Sequence, residues 1–275
     1  MSAARRPPFP APLLRFWLAR ILPAWCGTAV IIFLMQISVC GIVHANEKVK
    51  ALLRFLDALP SIVKTAIGGE GLRLGNTTEL IAIGYQHPLV LFLYMLFAVG
   101  VPTGLLTGEV QRGTMELILS RPASKTQVYL SAGLITLGGM FALTMVMFLG
   151  TVAATSMYAF GQPVQLDLLF RVATNAGMLA SAVGAIALLA AAFFRARNMA
   201  VGITAAFLVV NYFIGIIAEW WPSMKVLEPV TLFHYVGGPE VGTGWPLVNM
   251  VVLGTILETA GVIGGVIWQR RDLPL

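Results

Sequence analysis

The chain has 275 residues, of which 58% are hydrophobic and only 11% charged. Soluble domains carry about 25% charged residues, so a water-soluble globule is excluded: too much apolar surface would meet water. The formal net charge is +6, but the basic residues flank apolar stretches, where they read as a topology signal and not as a nucleic-acid surface.

In chain order, Arg5-Arg6 precede an apolar run that ends at Val43-His44-Ala45, a pattern resembling a secretory signal. The apolar core of a cleaved signal is only about 7–15 residues long. This run extends from Ala24 to Val43, so an uncleaved first span is expected. Before it, Leu14, Trp17, Leu18 and Ile21 recur at i, i+3, i+4, i+7 with Arg15 and Arg20 off that face. That spacing predicts an interfacial N-terminal helix leading into the span. Cys26 and Cys40 fall near its opposite ends, roughly 20 Å apart on a helix, too far for a disulfide.

About 20 apolar residues cross a bilayer as a helix. Five further stretches suit this: Pro88 to Leu106, Val128 to Ala153, Leu168 to Phe193, Met199 to Ile217, and Pro246 to Trp268. Lipid offers the backbone no hydrogen-bond partners, so each must be a helix, and the sustained alternation of a β-barrel is absent. The expected fold is all-α, a polytopic membrane protein with about six transmembrane helices in a single domain over residues 1–275. In the loop after the first span, Val49, Leu52, Leu53 and Leu56 repeat helical spacing, Pro60 interrupts, and a second short helix is expected from Ser61 to Ile67. Together they read as an outer helical hairpin.

Six spans put both termini on one side. Suppose that side also holds the loops after the second and fourth spans. It then carries Arg5, Arg6, Arg15, Arg20, Arg112, Arg121, Lys125, Arg195, Arg197, Arg270 and Arg271, against Glu109, Glu116 and Asp272. The excess predicts that both termini are cytoplasmic, in a plasma (inner) membrane. Trp220 and Trp221 suit the outer aromatic belt.

The chemistry of soluble enzymes is missing. Gly68 to Asn76 lacks the Lys-Ser/Thr of a phosphate-binding loop, so no ATP hydrolysis is expected of this chain. His44, His87 and His234 are scattered without metal-ligand spacing, and no catalytic or metal site is expected. Asn76-Thr77-Thr78 matches a glycosylation pattern of low specificity. Glu258, mid-way along the sixth span, is costly in lipid and reads either as a pathway residue or as a structural partner of Asn211, Thr204 or Asn175. Gly138-x-x-x-Ala142, Ala180-x-x-x-Gly184 and Gly261-x-x-x-Gly265 have the spacing of close helix contacts.

The segment between the second and third spans, residues 107–127, is the most informative. Read as a helix, it aligns Glu109, Arg112 and Glu116 in one charged stripe of alternating sign. Val110, Met115, Leu117, Ile118 and Leu119 cover the rest, and Pro122 ends it. Such a helix needs a partner or a lipid surface. Upstream, Pro102 lies between Gly100 and Gly104 and reads as a hinge or a fixed bend.

The pattern Glu109, Gly113-Thr114, Glu116-Leu117, Leu119-Ser120, Pro122 and Ser124 resembles the loop of type-2 ABC transporter permeases, with Ile118 where leucine is usual. The likeness is strongest to the six-span copper-maturation branch. It implies a permease paired with a separate cytosolic ABC ATPase, which would carry the ATP and magnesium; this chain would bind no cofactor itself. It further implies a permease homodimer or pseudo-dimer, substrate export, and a coupling helix built on Glu109, Arg112, Gly113, Thr114, Glu116, Leu117, Leu119 and Pro122. Lipid is the other expected partner, and nucleic acid is not. The competing expectation is a stand-alone secondary carrier or channel using Glu258.

Overall fold

A computed structural model describes residues 10–45, 77–237 and 244–272 of the protein. Among them every regular element is helical, and six helical segments are long and apolar enough to cross a membrane. The expected outer hairpin at Val49–Ile67, like the Gly68–Asn76 stretch, lies outside the described residues.

Helix α1 (Ala11–His44) has 34 residues, about 51 Å at 1.5 Å per residue, longer than the ~30 Å hydrocarbon core. It joins the expected interfacial helix and the first span into one continuous rod, with Pro23 inside it. The apolar face found at Leu14, Trp17 and Ile21 packs onto protein: Trp17 is fully buried, and Leu14 and Ile21 pack beside it.

The second crossing begins earlier than its apolar run. Helix α2 (Thr77–Gln86) leads into α3 (Pro88–Leu105), with His87 between them accepting the Leu89 N–H at 3.2 Å through Nδ1. Pro88 occupies the first turn, where its missing N–H costs nothing. Two short helices follow, α4 (Thr107–Gln111) and α5 (Thr114–Leu119). Helix α6 (Lys125–Met157) opens on a capping box in which Ser124 and Gln127 satisfy each other's backbone N–H. Then come α7 (Leu166–Phe193) and α8 (Arg197–Trp220), 3-10 segments at Pro222–Val230 and Leu232–Tyr235, and α9 (Leu247–Arg270).

Helix α7 is the hub: 78% of its most apolar window is buried, and it packs against α2, α3, α6, α8 and α9. Its alanines and glycines let neighbours come close. A Cβ on Gly184 would stand 3.0 Å from Thr136 Cγ2. The α9 glycines do the same from the other side. The Tyr129 hydroxyl donates to the Gly261 carbonyl at 2.9 Å, and Gly264 lies against that hydroxyl and the Leu189 backbone. On α6, Gly139 packs against Phe97 and Trp25 and Gly150 against Phe33 and Gln36 of α1, while Gly138 faces open space.

Two apolar clusters result. The larger includes Ile32, Tyr85, Tyr94, Leu143, Met147 and Leu179. Within it, Thr151 receives a hydrogen bond from Gln36 Nε2 at 3.0 Å and lies 2.7 Å from the Tyr85 hydroxyl. The smaller gathers Trp17, Leu105, Leu106, Met115, Val128, Leu188 and Trp268 at one end of the bundle. At that end meet the first turns of α1, the α4–α5 loop, the α7–α8 turn and the last turn of α9. The basic residues expected on the cytoplasmic side, among them Arg20, Arg112, Lys125, Arg197 and Arg271, share this end.

Candidate functional site

The loop between α3 and α6 is two helical turns at an angle, not one helix. Gly113 takes φ 71° between them, a left-handed conformation that glycine adopts without the Cβ clash other residues meet. The predicted stripe is therefore broken. Arg112 stays with Glu109, but Glu116 begins a new turn and faces outward. The reason is local: the Gly113 N–H closes onto the Val110 carbonyl at 3.1 Å, ending α4.

Glu109 is the centre of the loop. Its side chain is 2% exposed, and Arg20 and Arg112 each donate to Oε1 at 2.5 Å. The Thr114 hydroxyl donates to the other carboxylate oxygen, Oε2. Two guanidinium charges and a hydroxyl on one buried carboxylate form a charge-assisted knot, stronger than ordinary neutral hydrogen bonds. It binds α1, α4 and α5 at one point. Beneath it Met115 is buried with Leu106 and Trp17, and Val110, Ile118 and Leu119 pack partly against the same cluster. Gln111 reaches the α7–α8 turn, its Oε1 accepting the Arg197 N–H at 3.3 Å.

The expected site residues thus divide. Glu109, Thr114 and, in part, Leu119 face inward and hold the loop. Arg112 is partly exposed but turns its guanidinium onto Glu109, and Gly113, Glu116, Leu117 and Pro122 face outward, with Leu117 68% exposed. This exposed leucine lies in the chain between Glu116 and Arg121, charges of opposite sign, on a loop fixed from behind. Pro102 sits inside α3, buried, close to where that helix ends; the Thr103 hydroxyl bonds the Val99 carbonyl beside it at 2.6 Å.

Sequence reasoning missed Arg20 and Trp17 as members of this site. The helical spacing that includes Trp17 was visible, with Arg20 off that face, but spacing does not distinguish lipid from a loop far along the chain. Arg271 was also missed. Its guanidinium caps the α7 carbonyls of Ala191 and Ala192 at 3.0 and 3.1 Å and lies over the Trp268 ring. Burial, then the like charge of Arg195, pushes this guanidinium below its ordinary range. Lys125 donates to the Arg271 carbonyl at 2.7 Å, tying the end of α9 to the start of α6.

The intramembrane polar residues sit apart from this end and from one another. Asn211 is buried and accepts the Leu232 N–H at 2.7 Å; Asn175 accepts the Gly237 N–H. Thr204 bonds its own helix at the Ala200 carbonyl. None of the three partners Glu258, correcting the expectation of a structural pairing. Glu258 lies on the outward face of α9, because Leu253, Ala260, Gly264 and Trp268 turn the opposite face onto the bundle.

Residues 24–233 match the profile of the family described as ABC-2 family transporter protein. No curated protein matches the chain.

Proposed function

The chain belongs to the ABC-2 family transporter proteins and is a multi-pass membrane permease component; on that premise we propose that it couples a separate cytosolic ATPase to substrate export through the α4–α5 loop. The observation that carries this reading is the two-sidedness of the loop. Its inner side is locked to α1 and to the apolar cluster through Glu109 and Met115, while its outer side offers Leu117, Glu116, Arg121 and Pro122. A surface that receives force needs both an anchor for the partner and a rigid connection behind it.

The ATPase would hold ATP and magnesium and would dock on Leu117. Its closure would press on α5, and the Glu109 knot would pass the displacement to α1 through Arg20. Leu105 and Leu106 would pass it to α3, where Pro102 lies within the last turns. Two packings of the bundle, biased by the nucleotide state of the partner, then serve as the two transport states. The basic excess at this end supports a cytoplasmic loop and termini in an inner membrane. A permease pair, as homodimer or pseudo-dimer, completes the assembly, and the loop pattern supports a place in the copper-maturation branch. A stand-alone carrier using Glu258 draws no support from a carboxylate that points out of the bundle.

The test is co-purification. The tagged chain in mild detergent should bring down a Walker-motif ATPase, and Leu117→Asp should reduce the recovered ATPase by at least about tenfold, the effect of losing one interface anchor. Absence of any ATPase with a folded wild-type chain would overturn the proposal.

A further inference from the structure

Glu258 is the twelfth of the 24 residues of α9, about 17 Å from either end and so at the middle of the span. It is exposed on the protein surface and has no hydrogen-bond or ionic partner among the described residues. Between Val251 and Val266 the residues that share its face are Val251, Thr255, Thr259, Val262 and Val266, all exposed, which within about 100° of arc form one stripe with it. Over that stretch no side chain in the stripe other than Glu258 is larger than valine; Leu247 and Gln269 extend it at the two ends of the helix. The outward face of α8, by contrast, carries Met199, Ile203, Phe207 and Phe213. Bulky side chains suit lipid, whereas a flat, β-branched surface lets another helix approach closely and loses little rotamer freedom in doing so.

A carboxylate at this depth demands a hydrogen-bond donor or a counter-charge. No described span supplies a cation: in each, Lys and Arg lie toward the ends, none in the middle third. A second copy docked symmetrically on the same face would bring a second carboxylate to the first, which like-charge repulsion in a low-dielectric medium opposes. The Thr255 hydroxyl is already committed to the Val251 carbonyl at 2.8 Å.

We propose that the Glu258 face of α9 is a docking surface for a transmembrane helix of a different polypeptide, one that carries a Lys or Arg near its mid-span. The carboxylate pairs with that cation, and the valine and threonine stripe provides the close contact on either side. The partner is thus an accessory membrane subunit attached at the α9 flank, away from the loop end where Glu109 and Leu117 lie. This inference does not depend on ATPase coupling.

The experiment places a photo-activatable cross-linking residue at Val262 in the full chain, in native membranes, and sequences the segment captured. The expected result is an apolar segment of another polypeptide with a basic residue within one helical turn of its centre. Glu258→Leu should lower the yield by about tenfold, the scale of one interhelical polar contact in a membrane, and Glu258→Gln should lower it less. Glu258→Lys combined with an acidic residue at the partner's basic position should restore it, which a merely misfolded variant would not do. Capture of a second copy of this chain, of lipid alone, or of a helix without a central basic residue would overturn the proposal. So would a yield unchanged in Glu258→Leu.

Discussion

Arg20 and Glu109, 89 positions apart in the chain, meet at 2.5 Å where the first helix passes the loop. The Glu109 side chain is nearly inaccessible while that of Arg20 is 45% exposed, so the pair is half anchored in protein and half open to solvent. That asymmetry sets the cost of breaking it. Arg20→Ala is expected to lower stability by about 1–2 kcal/mol, less than for a fully buried charge-assisted bond because solvent screens the arginine. Glu109→Ala should cost more, since it leaves Arg20, Arg112 and Thr114 without their shared acceptor. The double variant should fall short of the sum of the two, and thermal unfolding of all three in detergent measures that coupling.

Gly113 permits a sharper contrast. Its φ of 71° is open to glycine, and a Cβ there would meet nothing within 4 Å. Gly113→Ala therefore tests backbone conformation alone and should cost about 1–2 kcal/mol. Gly113→Pro should cost more, because proline holds φ near −65°. Gly138→Ala on α6, equally open but helical, should be neutral or stabilising. Equal effects at the two glycines would contradict the left-handed break.

On α9 the most tightly packed glycine is Gly264. A Cβ there would stand 3.0 Å from Leu189 Cα and inside the Tyr129 hydroxyl, so Gly264→Ala should push α9 from α7 at a cost of about 1–3 kcal/mol. Gly261→Ala, with nothing within 4 Å, should be tolerated. Denaturation midpoints of the two variants decide between this packing and a symmetric role for both glycines.

The spans were legible because a run of some twenty apolar residues has few other physical uses. The start of the second crossing was not: Thr77–Gln86 mixes Glu79 and Gln86 among apolar residues, and its helix was hidden by composition. The N-terminal apolar face was legible as a face, but Leu14, Trp17 and Ile21 would show the same spacing against lipid or against Met115. The loop motif was legible, and Gly113 within it carried the signal of a break that the reading of one charged stripe passed over. The burial of Glu109 was not legible, since it depends on Arg20 arriving from the far side of the fold. The direction of Glu258 was recoverable in principle: Leu253, Ala260 and Gly264 fall on the opposite arc of the same helix, and glycine and alanine mark a packed side.

At the opposite end, Asn211 and Asn175 hold the chain between α8 and α9. Each amide oxygen accepts one buried N–H, from Leu232 and Gly237. Asn211→Leu should strand the Leu232 N–H and cost about 1–3 kcal/mol. Hydrogen exchange should show faster opening at Leu232–Tyr235, with the α4–α5 loop unaffected. Unchanged protection there would contradict the anchoring role.

The central claim is that the outer side of the loop receives an ATPase. Leu117 is its most exposed large apolar side chain, so Leu117→Cys in native membranes, treated with a short thiol-to-amine cross-linker, reports directly on what covers it. The account predicts a single cross-link to a Walker-motif ATPase, with a yield that changes when non-hydrolysable ATP and magnesium are added. A folded Leu117→Cys chain that reacts freely with a water-soluble thiol reagent and forms no cross-link to an ATPase in either condition would contradict it.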